Sequence, residues 1–270
     1  MTAARRGLRV LLIGDIIGKP GRQAIAHALP DLRTELEIDL VVANGENVAA
    51  GMGLTPSLAE ELLRSGIDVI TSGNHIWDKR EIYDYLDGDR PVLRPLNYPH
   101  DAPGRGWLVA HAADGTEVAV VNVMGRVFMN QLDSPFAAMD TLLDEAAEPL
   151  PPVRLVDFHC EITSEKNAMG WYLDGRVTGV VGTHTHVPTA DARLLPKGTA
   201  YISDLGMTGP RDSIIGFDIT TVIPRFTQHL PTRFQVGSGP VSLNGVVIEA
   251  DRATGRARGI TQVQRLVEVD

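Results

Sequence analysis

Cysteine is almost absent from this sequence. Cys160 stands alone among 270 residues, so no disulfide can form within the chain. That suits a reducing cytoplasm, and it leaves no thiolate set for a structural zinc knot. Positive charge is also short: 25 Lys and Arg face 34 Asp and Glu, for a formal net charge of −9. A broad surface for long nucleic acid or for an anionic membrane is therefore not expected. A small anionic substrate is still possible where a bound cation supplies the charge. No apolar run approaches the ~20 residues that span a bilayer. The stretch MTAARRGLRVLLIGDIIG is continuously apolar only from Val10 to Ile13 before Gly14 and Asp15. With no cleavage pattern after it, it reads as a first strand and not as a signal peptide. Two catalytic signatures are missing too. There is no Gly-Lys-Ser/Thr phosphate loop. There is no Gly-x-Ser-x-Gly turn either, so Ser72 near His75 gives little support to a metal-free serine hydrolase.

What remains is an ordinary globular composition, 43% hydrophobic and 22% charged. A chain of this length can bury a sizeable core, here expected as one domain over residues 1–270. LRVLLIGD, IDLVVANGEN and IDVITSGNH are short, β-branched-rich apolar runs that end in Gly and polar residues, as strands buried on both faces do. Helical patterns separate them. PGRQAIAHALPDLRTEL is one, expected to break near Pro30. TPSLAEELLRSG is another, with Thr55 as N-cap, Pro56 in the first turn and Gly66 as stop. KREIYDYL gives a short third. Asp114-Gly115 between apolar runs predicts a hairpin, and SPFAAMDTLLDEAA predicts a helix capped by Ser134. VRLVDFHCE, VTGVVGTHTH and TAYISDLG read as strands, EITSEKNAMG as a polar loop, and the C-terminal segment as two strands around a turn at Ala253 to Gly255. The switch from βαβ order to hairpins predicts an α/β sandwich of mixed sheets.

Five of the strand-like runs end in groups that bind metal: Asp15; Glu46 and Asn47; Asn74 and His75; His159; and His184 with His186. Sites in open α/β sheets form beyond the carboxyl ends of strands, so neighbouring strands would bring these groups to one edge. Singly, Asp15 and Asn74 read as well as turn or helix caps, Glu46 as a loop acid, and His159, between Phe158 and Cys160, as a core histidine. Cys160 reads as a small buried apolar residue. Together the set holds too many donors for one ion. Carboxylates, amides and imidazoles without thiolates suit iron, manganese or zinc, and two ions sharing a carboxylate would use them all. Asn44-Gly45 is expected to make the bend that delivers Glu46.

The motifs IGDIIGKPGR, NGENVAAGMGLT, SGNHIWDK, DFHCEITSEK and GTHTHVPTAD resemble the calcineurin-like metallophosphoesterases. Among these, they are most similar to the YmdB-like bacterial cyclic-nucleotide phosphodiesterases, over most of the chain. The resemblance implies a four-layer α/β/β/α sandwich of two mixed sheets with a dinuclear metal centre, most often iron, with manganese as the alternative. It places Asp15, Glu46 and His186 on one metal, and Glu46, Asn74, His159 and His184 on the other, with Glu46 bridging and His75 catalytic. Two departures from the wider superfamily stand out. Asp15 lacks the usual histidine two residues on, and the bridging residue is Glu46 where Asp is usual. Asn47 either takes the missing histidine's place as a ligand, the reading preferred, or hydrogen-bonds Asp15 from behind it. The implied reaction is hydrolysis of a small phosphodiester, a 2',3'- or 3',5'-cyclic nucleotide, by a metal-bridging hydroxide, with His75 assisting the leaving oxygen. Alternatives are a phosphomonoesterase or nuclease with the same centre, or a non-catalytic nucleotide-binding signalling protein. Lys166, Arg126 and Arg211 are candidate phosphate contacts. Trp107, Trp171 and Phe128, in loop-like contexts, suit either the core or a homo-oligomer.

Overall fold

A computed structural model of the chain describes residues 6–146 and 148–269. In chain order the elements are β1 (Leu8–Ile13), β2 (Asp15–Ile16), α1 (Gly18–Glu35), β3 (Leu40–Asn44), α2 (Pro56–Arg64), β4 (Val69–Thr71) and α3 (Ile82–Leu86). They continue with β5 (Trp107–His111), β6 (Glu117–Met124), α4 (Pro135–Asp144), β7 (Val153–His159), α5 (Thr163–Tyr172) and β8 (Gly179–Thr183). The last are β9 (Arg193–Leu194), β10 (Ala200–Ile202), β11 (Met207–Pro210), α6 (Ile219–Gln228), β12 (Val241–Ala250) and β13 (Ala257–Val267).

Two mixed sheets form. In the first, β1 pairs in parallel with β3, and β3 with β4. On its other side β1 runs antiparallel to β12, which pairs in turn with β13. β11 pairs with β12 and with β2. The second sheet runs β5-β6-β7-β8-β10-β9, parallel from β6 to β10 and antiparallel at both ends.

The period-two alternation of each central strand divides its side chains between two apolar layers. Leu8, Val10 and Leu12 of β1 face Val118, Val120, Val153 and Leu155 of the second sheet, forming a core between the sheets. Leu11 and Ile13 point the other way, onto Ile25 and Leu29 of α1 and Leu62 of α2. On the far side of the second sheet, Val156 and Phe158 of β7 pack with Met139 of α4 and Met169 of α5. Three apolar layers separate four structural ones, which is the α/β/β/α sandwich expected from the resemblance.

The caps read as expected. Thr55 accepts from the amide of Leu58, and Ser134 from that of Ala137. The hairpin at Asp114-Gly115 forms, with Gly115 at φ +83°. Three expectations need correction. Helix α1 runs through Pro30 without breaking. Pro30 lies on the solvent face, where water can satisfy the carbonyl that the ring leaves unbonded. EITSEKNAMG is no loop: most of it forms α5, whose buried face carries Lys166 and Met169. Helix α6 was not expected. Trp107 lies on β5 against the outer core, Trp171 is exposed on α5, and Phe128 is exposed in a loop.

Candidate metal centre

All five groups of polar residues meet at one edge. Asp15 opens β2, two residues beyond the end of β1; Glu46 and Asn47 follow β3; Asn74 and His75 follow β4. His159 closes β7, and His184 and His186 follow β8. The bend before Glu46 is not a left-handed Asn-Gly turn. Gly45 is absent from the positive-φ residues, and its amide continues the sheet by donating to the Thr71 carbonyl at 2.9 Å. The side chain of Asn44 makes the bend by accepting from the Glu46 amide at 3.1 Å. Gly73 is needed for a different reason. A β-carbon there would lie 2.1 Å from Cδ2 of His159, so only glycine lets the Asn74 loop cross that ring.

The partner on one ring nitrogen fixes what the other can do. The Thr183 hydroxyl donates to Asp157 at 2.6 Å, so its oxygen accepts from Nδ1 of His159 at 3.0 Å. That makes Nε2 of His159 the nitrogen that offers a lone pair when the ring is neutral. Glu161 faces Nε2 of His184 at 3.0 Å, leaving the lone pair on Nδ1. The Ile215 carbonyl takes the Nδ1 proton of His186 at 2.9 Å, and Asp78 faces Nδ1 of His75 at 2.8 Å.

Four electron-pair donors therefore converge. Nε2 of His159 lies 3.0 Å from Oε1 of Glu46, 3.0 Å from Oδ1 of Asn74 and 3.1 Å from Nδ1 of His184. Lone pairs this close repel unless a cation or a proton lies among them. Donors bound about 2.0–2.2 Å from one ion sit at about this spacing. Glu46, His159 and His184 thus form a group able to hold a metal ion.

The neighbouring donors are more open. Asp15 is fully buried; its Oδ2 accepts from the His184 amide at 3.1 Å, but its Oδ1 has no hydrogen-bond partner among the described residues. That oxygen lies 3.8 Å from Nε2 of His186 and 4.0 Å from Nδ1 of His159. Asn47 turns its amide nitrogen toward Nε2 of His186 at 3.3 Å and toward Oε1 of Glu46 at 3.5 Å. An unsatisfied buried carboxylate oxygen is costly unless something positive meets it.

The proton balance without an ion is consistent with this. Burial pushes the Asp15 carboxyl up, against the lowering pull of His186 and His159. Burial acts on Glu46 in the same sense, but the charge and hydrogen bond of His159 outweigh it and bring Glu46 down to about 2. Burial opposes the charge on His159, yet Glu46 and Asp15 raise it to about 9. His184, partly buried and beside the His159 cation, is pushed down to about 3. Without an ion, the surroundings thus favour a positive charge on His159, between Glu46 and His184.

The loop that carries His184 and His186 is strained, with φ of +99° and +66° at these two residues. Each such conformation costs about 1–3 kcal/mol and persists only where the surroundings impose it. Lys166 helps to impose it. Its ammonium donates to Oδ2 of Asp204 at 2.5 Å and to the Thr183 carbonyl at 2.9 Å, deep under the site. The same Asp204 oxygen accepts from the amide and hydroxyl of Thr185, between the two histidines. Lys166 is therefore committed to a buried pair and unavailable to phosphate. Arg126 and Arg211 do not line the cleft above the donors. Arg225 of α6 does, and so does Glu161; neither was singled out from the sequence. The N-cap Asp218 and apolar residues at 219, 222, 223 and 226 were the available signal for α6. Cys160 is buried, with its thiol pushed up to about 12 by burial and Glu165, and takes no part in the site.

A four-layer sandwich with aspartate, glutamate, asparagine and histidine donors at the carboxyl edges of both sheets defines a calcineurin-like metallophosphoesterase. Within that class the chain belongs to the YmdB-like family, whose sequence model matches residues 11–263. It is 50% identical over 256 residues to a 2',3'-cyclic-nucleotide 2'-phosphodiesterase of Bacillus subtilis, covering 95% of this chain and 96% of that protein. Among solved structures it is similar to a hypothetical protein from Thermus thermophilus, with TM-score 0.89 and 44% identity over 96% of this chain and 99% of that one. It is also similar to a structure described as a novel phosphatase of Mycoplasma pneumoniae, with TM-score 0.91 and 33% identity over 98% and 95% of the two chains. No described helix is long and apolar enough to cross a membrane.

Proposed function

We propose that this chain is a dinuclear-metal phosphodiesterase acting on small phosphodiesters, cyclic nucleotides first among them. The observation that carries the proposal is the convergence of Glu46, Asn74 and His184 on Nε2 of His159, next to the Asp15 oxygen that has no hydrogen-bond partner among the described residues. The half-identical Bacillus subtilis relative supports the choice of ester. In this reading Glu46, Asn74, His159 and His184 hold one ion. Asp15, Glu46 and His186 hold the other, with Glu46 shared. Asn47 joins the second set by turning its amide so that Oδ1 replaces Nδ2. Hard oxygen donors beside imidazoles, with no thiolate, favour iron, then manganese.

Ions held by these residues would supply Lewis acidity toward the phosphoryl oxygens and would lower the pKa of a bound water toward neutrality. The chain's own residues do the rest. Thr183, Glu161 and the Ile215 carbonyl hold the three ligand imidazoles in the tautomer that offers a lone pair. Glu46 accepts from the His75 amide at 2.9 Å, which ties the histidine's backbone to the donor cluster. Asp78 fixes the His75 ring through Nδ1, and Nε2 delivers a proton to the leaving oxygen. The reaction takes place in a cleft of about 410 Å³, the size of a small-molecule site.

The test is turnover of 2',3'- and 3',5'-cyclic nucleotides with elemental analysis of the same preparation. Two metal ions per chain with diester hydrolysis are expected. A fully metallated protein that hydrolyses no diester removes the reading. A phosphomonoesterase with the same centre is the second reading, favoured by the Mycoplasma relative described as a phosphatase; faster turnover of a nucleoside monophosphate than of the cyclic diester would select it. A cytoplasmic location and self-association through exposed Phe128 and Trp171 complete the proposal.

A further inference from the structure

The cleft over the metal donors is lopsided. Its floor is polar, with Glu46, Asn47, His75, His184 and His186. The wall is largely aromatic and apolar, with Met52, Phe217, Phe226 and Phe234, and it also carries Arg225. Phe217 and Phe234 are in contact, with ring centroids 5.5 Å apart. The Arg225 guanidinium lies over the Phe234 ring at 5.6 Å and pairs with no carboxylate among the described residues. Phe226 is 70% exposed, although it belongs to the same cleft.

This wall is held in place and joined to the metal donors. Phe217 bridges to Ile214 and to Val236, and Asp218 donates its amide to the Gln235 carbonyl, which ties the Phe234 segment to the start of α6. Gly51, at φ +95°, lets the loop after Asn47 close against Phe217: a β-carbon there would lie 2.7 Å from that ring. The Ile215 carbonyl accepts from His186. An exposed aromatic residue, a second ring and a guanidinium with no carboxylate partner among the described residues line the same cleft as the polar donors, and together they offer a platform for a flat π-system. Bases stack on such aromatic faces, with Arg adding a cation–π contribution.

We propose that the Phe226–Phe234–Arg225 wall is a nucleobase subsite, so that the substrate is a mononucleotide with its phosphodiester over the metal donors and its base stacked on α6. This rests on the phosphodiesterase reading above and adds the part of the substrate that the metal centre does not touch. Stacking tolerates any base, so purine and pyrimidine nucleotides are both accepted.

The test compares two esters with the same reacting bond, 2',3'-cyclic AMP and methyl β-ribofuranoside 2',3'-cyclic phosphate, in wild-type protein and in Phe226→Ala and Phe226→Trp. Wild-type kcat/KM is expected to favour the nucleotide about ten-fold or more. Phe226→Ala should lower that ratio about ten-fold, mainly through KM, and Phe226→Trp should restore it. Since Phe226 is largely exposed, neither variant threatens the fold. Binding of 3'-AMP against methyl ribofuranoside 3'-phosphate to the metal-loaded protein, by calorimetry, makes the same comparison without turnover. If neither ester is hydrolysed but 3'-AMP binds about ten-fold tighter, the catalytic reading fails and the base subsite stands. Equal affinities and equal kcat/KM for the paired compounds overturn the subsite. A wall that instead seats a second copy of the chain changes sedimentation in Phe226→Ala and leaves the ratio unmoved, which also overturns it.

Discussion

Two buried aspartates sit at opposite edges of the first sheet, and they are treated differently. Asp39, just before β3, receives both guanidinium nitrogens of Arg6 at 2.8 Å, the Arg9 amide at 2.9 Å and Arg252 at 3.4 Å. Arg252 also reaches Asp114 at 3.1 Å, which ties the C-terminal hairpin to this cluster. Asp15, at the carboxyl edge, has one amide donor and one oxygen with no partner. The fold can satisfy a buried carboxylate fully, and at the amino edge it does. At the carboxyl edge it withholds donors and gathers acceptors. A chain that spends buried charge this way leaves the deficit for something it binds.

The contrast is broken most severely by removing the shared donor. Glu46→Ala is expected to lose bound metal and phosphodiester turnover together, read by elemental analysis and rate on one sample. A variant that is fully metallated and active ends the bridging assignment. His75→Ala separates chemistry from ligation. Turnover should fall by about 10²–10⁴ with metal content intact, as for loss of a general acid. If the rate does not move, His75 has no part in the reaction.

Replacing each aspartate by asparagine tests the contrast directly, because the two effects on stability have opposite signs. Burial raises the Asp15 carboxyl, so its ionised form is penalised in the fold. A raised carboxyl contributes most when protonated, at acid pH, and that contribution is lost as pH rises through the folded value. In metal-free protein near pH 7, Asp15→Asn should therefore raise Tm. It keeps an acceptor for the His184 amide and offers N–H toward the lone pair on His186, at the cost of metal affinity. Asp39→Asn should lower Tm, by about 1–3 kcal/mol of stability, because the charge that Arg6 and Arg252 meet is gone. Metal content should stay as it was. Thermal melts of the two variants, stripped and loaded, decide it; the same sign for both in the metal-free state removes the distinction drawn here.

The sequence carried one of these edges better than the other. Each donor at the carboxyl edge closes a strand or follows one within four residues, and its type is set by chemistry, so short motifs point to it. The bend at Asn44 was also legible, though its mechanism is a side-chain acceptor and not a glycine turn. Lys166 was misread because its local stretch is polar and its partner Asp204 lies 38 residues away, beyond any local pattern. Pro224 inside α6 obscured its apolar periodicity, and with it Arg225 and Phe226. The amino-edge cluster joins Arg6, Asp39, Asp114 and Arg252, residues that no motif links.

The smallest expected effect lies in the turn beyond β12, beside the Asp39 cluster. Oδ1 of Asp251 accepts from the amides of Ala253 and Thr254 at 3.0 and 2.9 Å and from the Thr254 hydroxyl at 3.0 Å. Oδ2 accepts from Arg258 across the hairpin. The Thr254 amide, with Arg258 next, lowers this carboxyl to about 2. A depressed carboxyl stabilises the fold above its unfolded value of about 4, and the contribution drains away as pH falls from there toward about 2. Asp251→Asn keeps the Oδ1 acceptor and loses Oδ2 to Arg258. Its Tm should lie slightly below wild type at pH 7, and the two should converge as the buffer is taken from about pH 5 to about pH 3. A gap that stays constant with pH would mean that the turn is held by its shape alone. Convergence would show that the amino edge, unlike the site edge, draws stability from its ionised carboxylates.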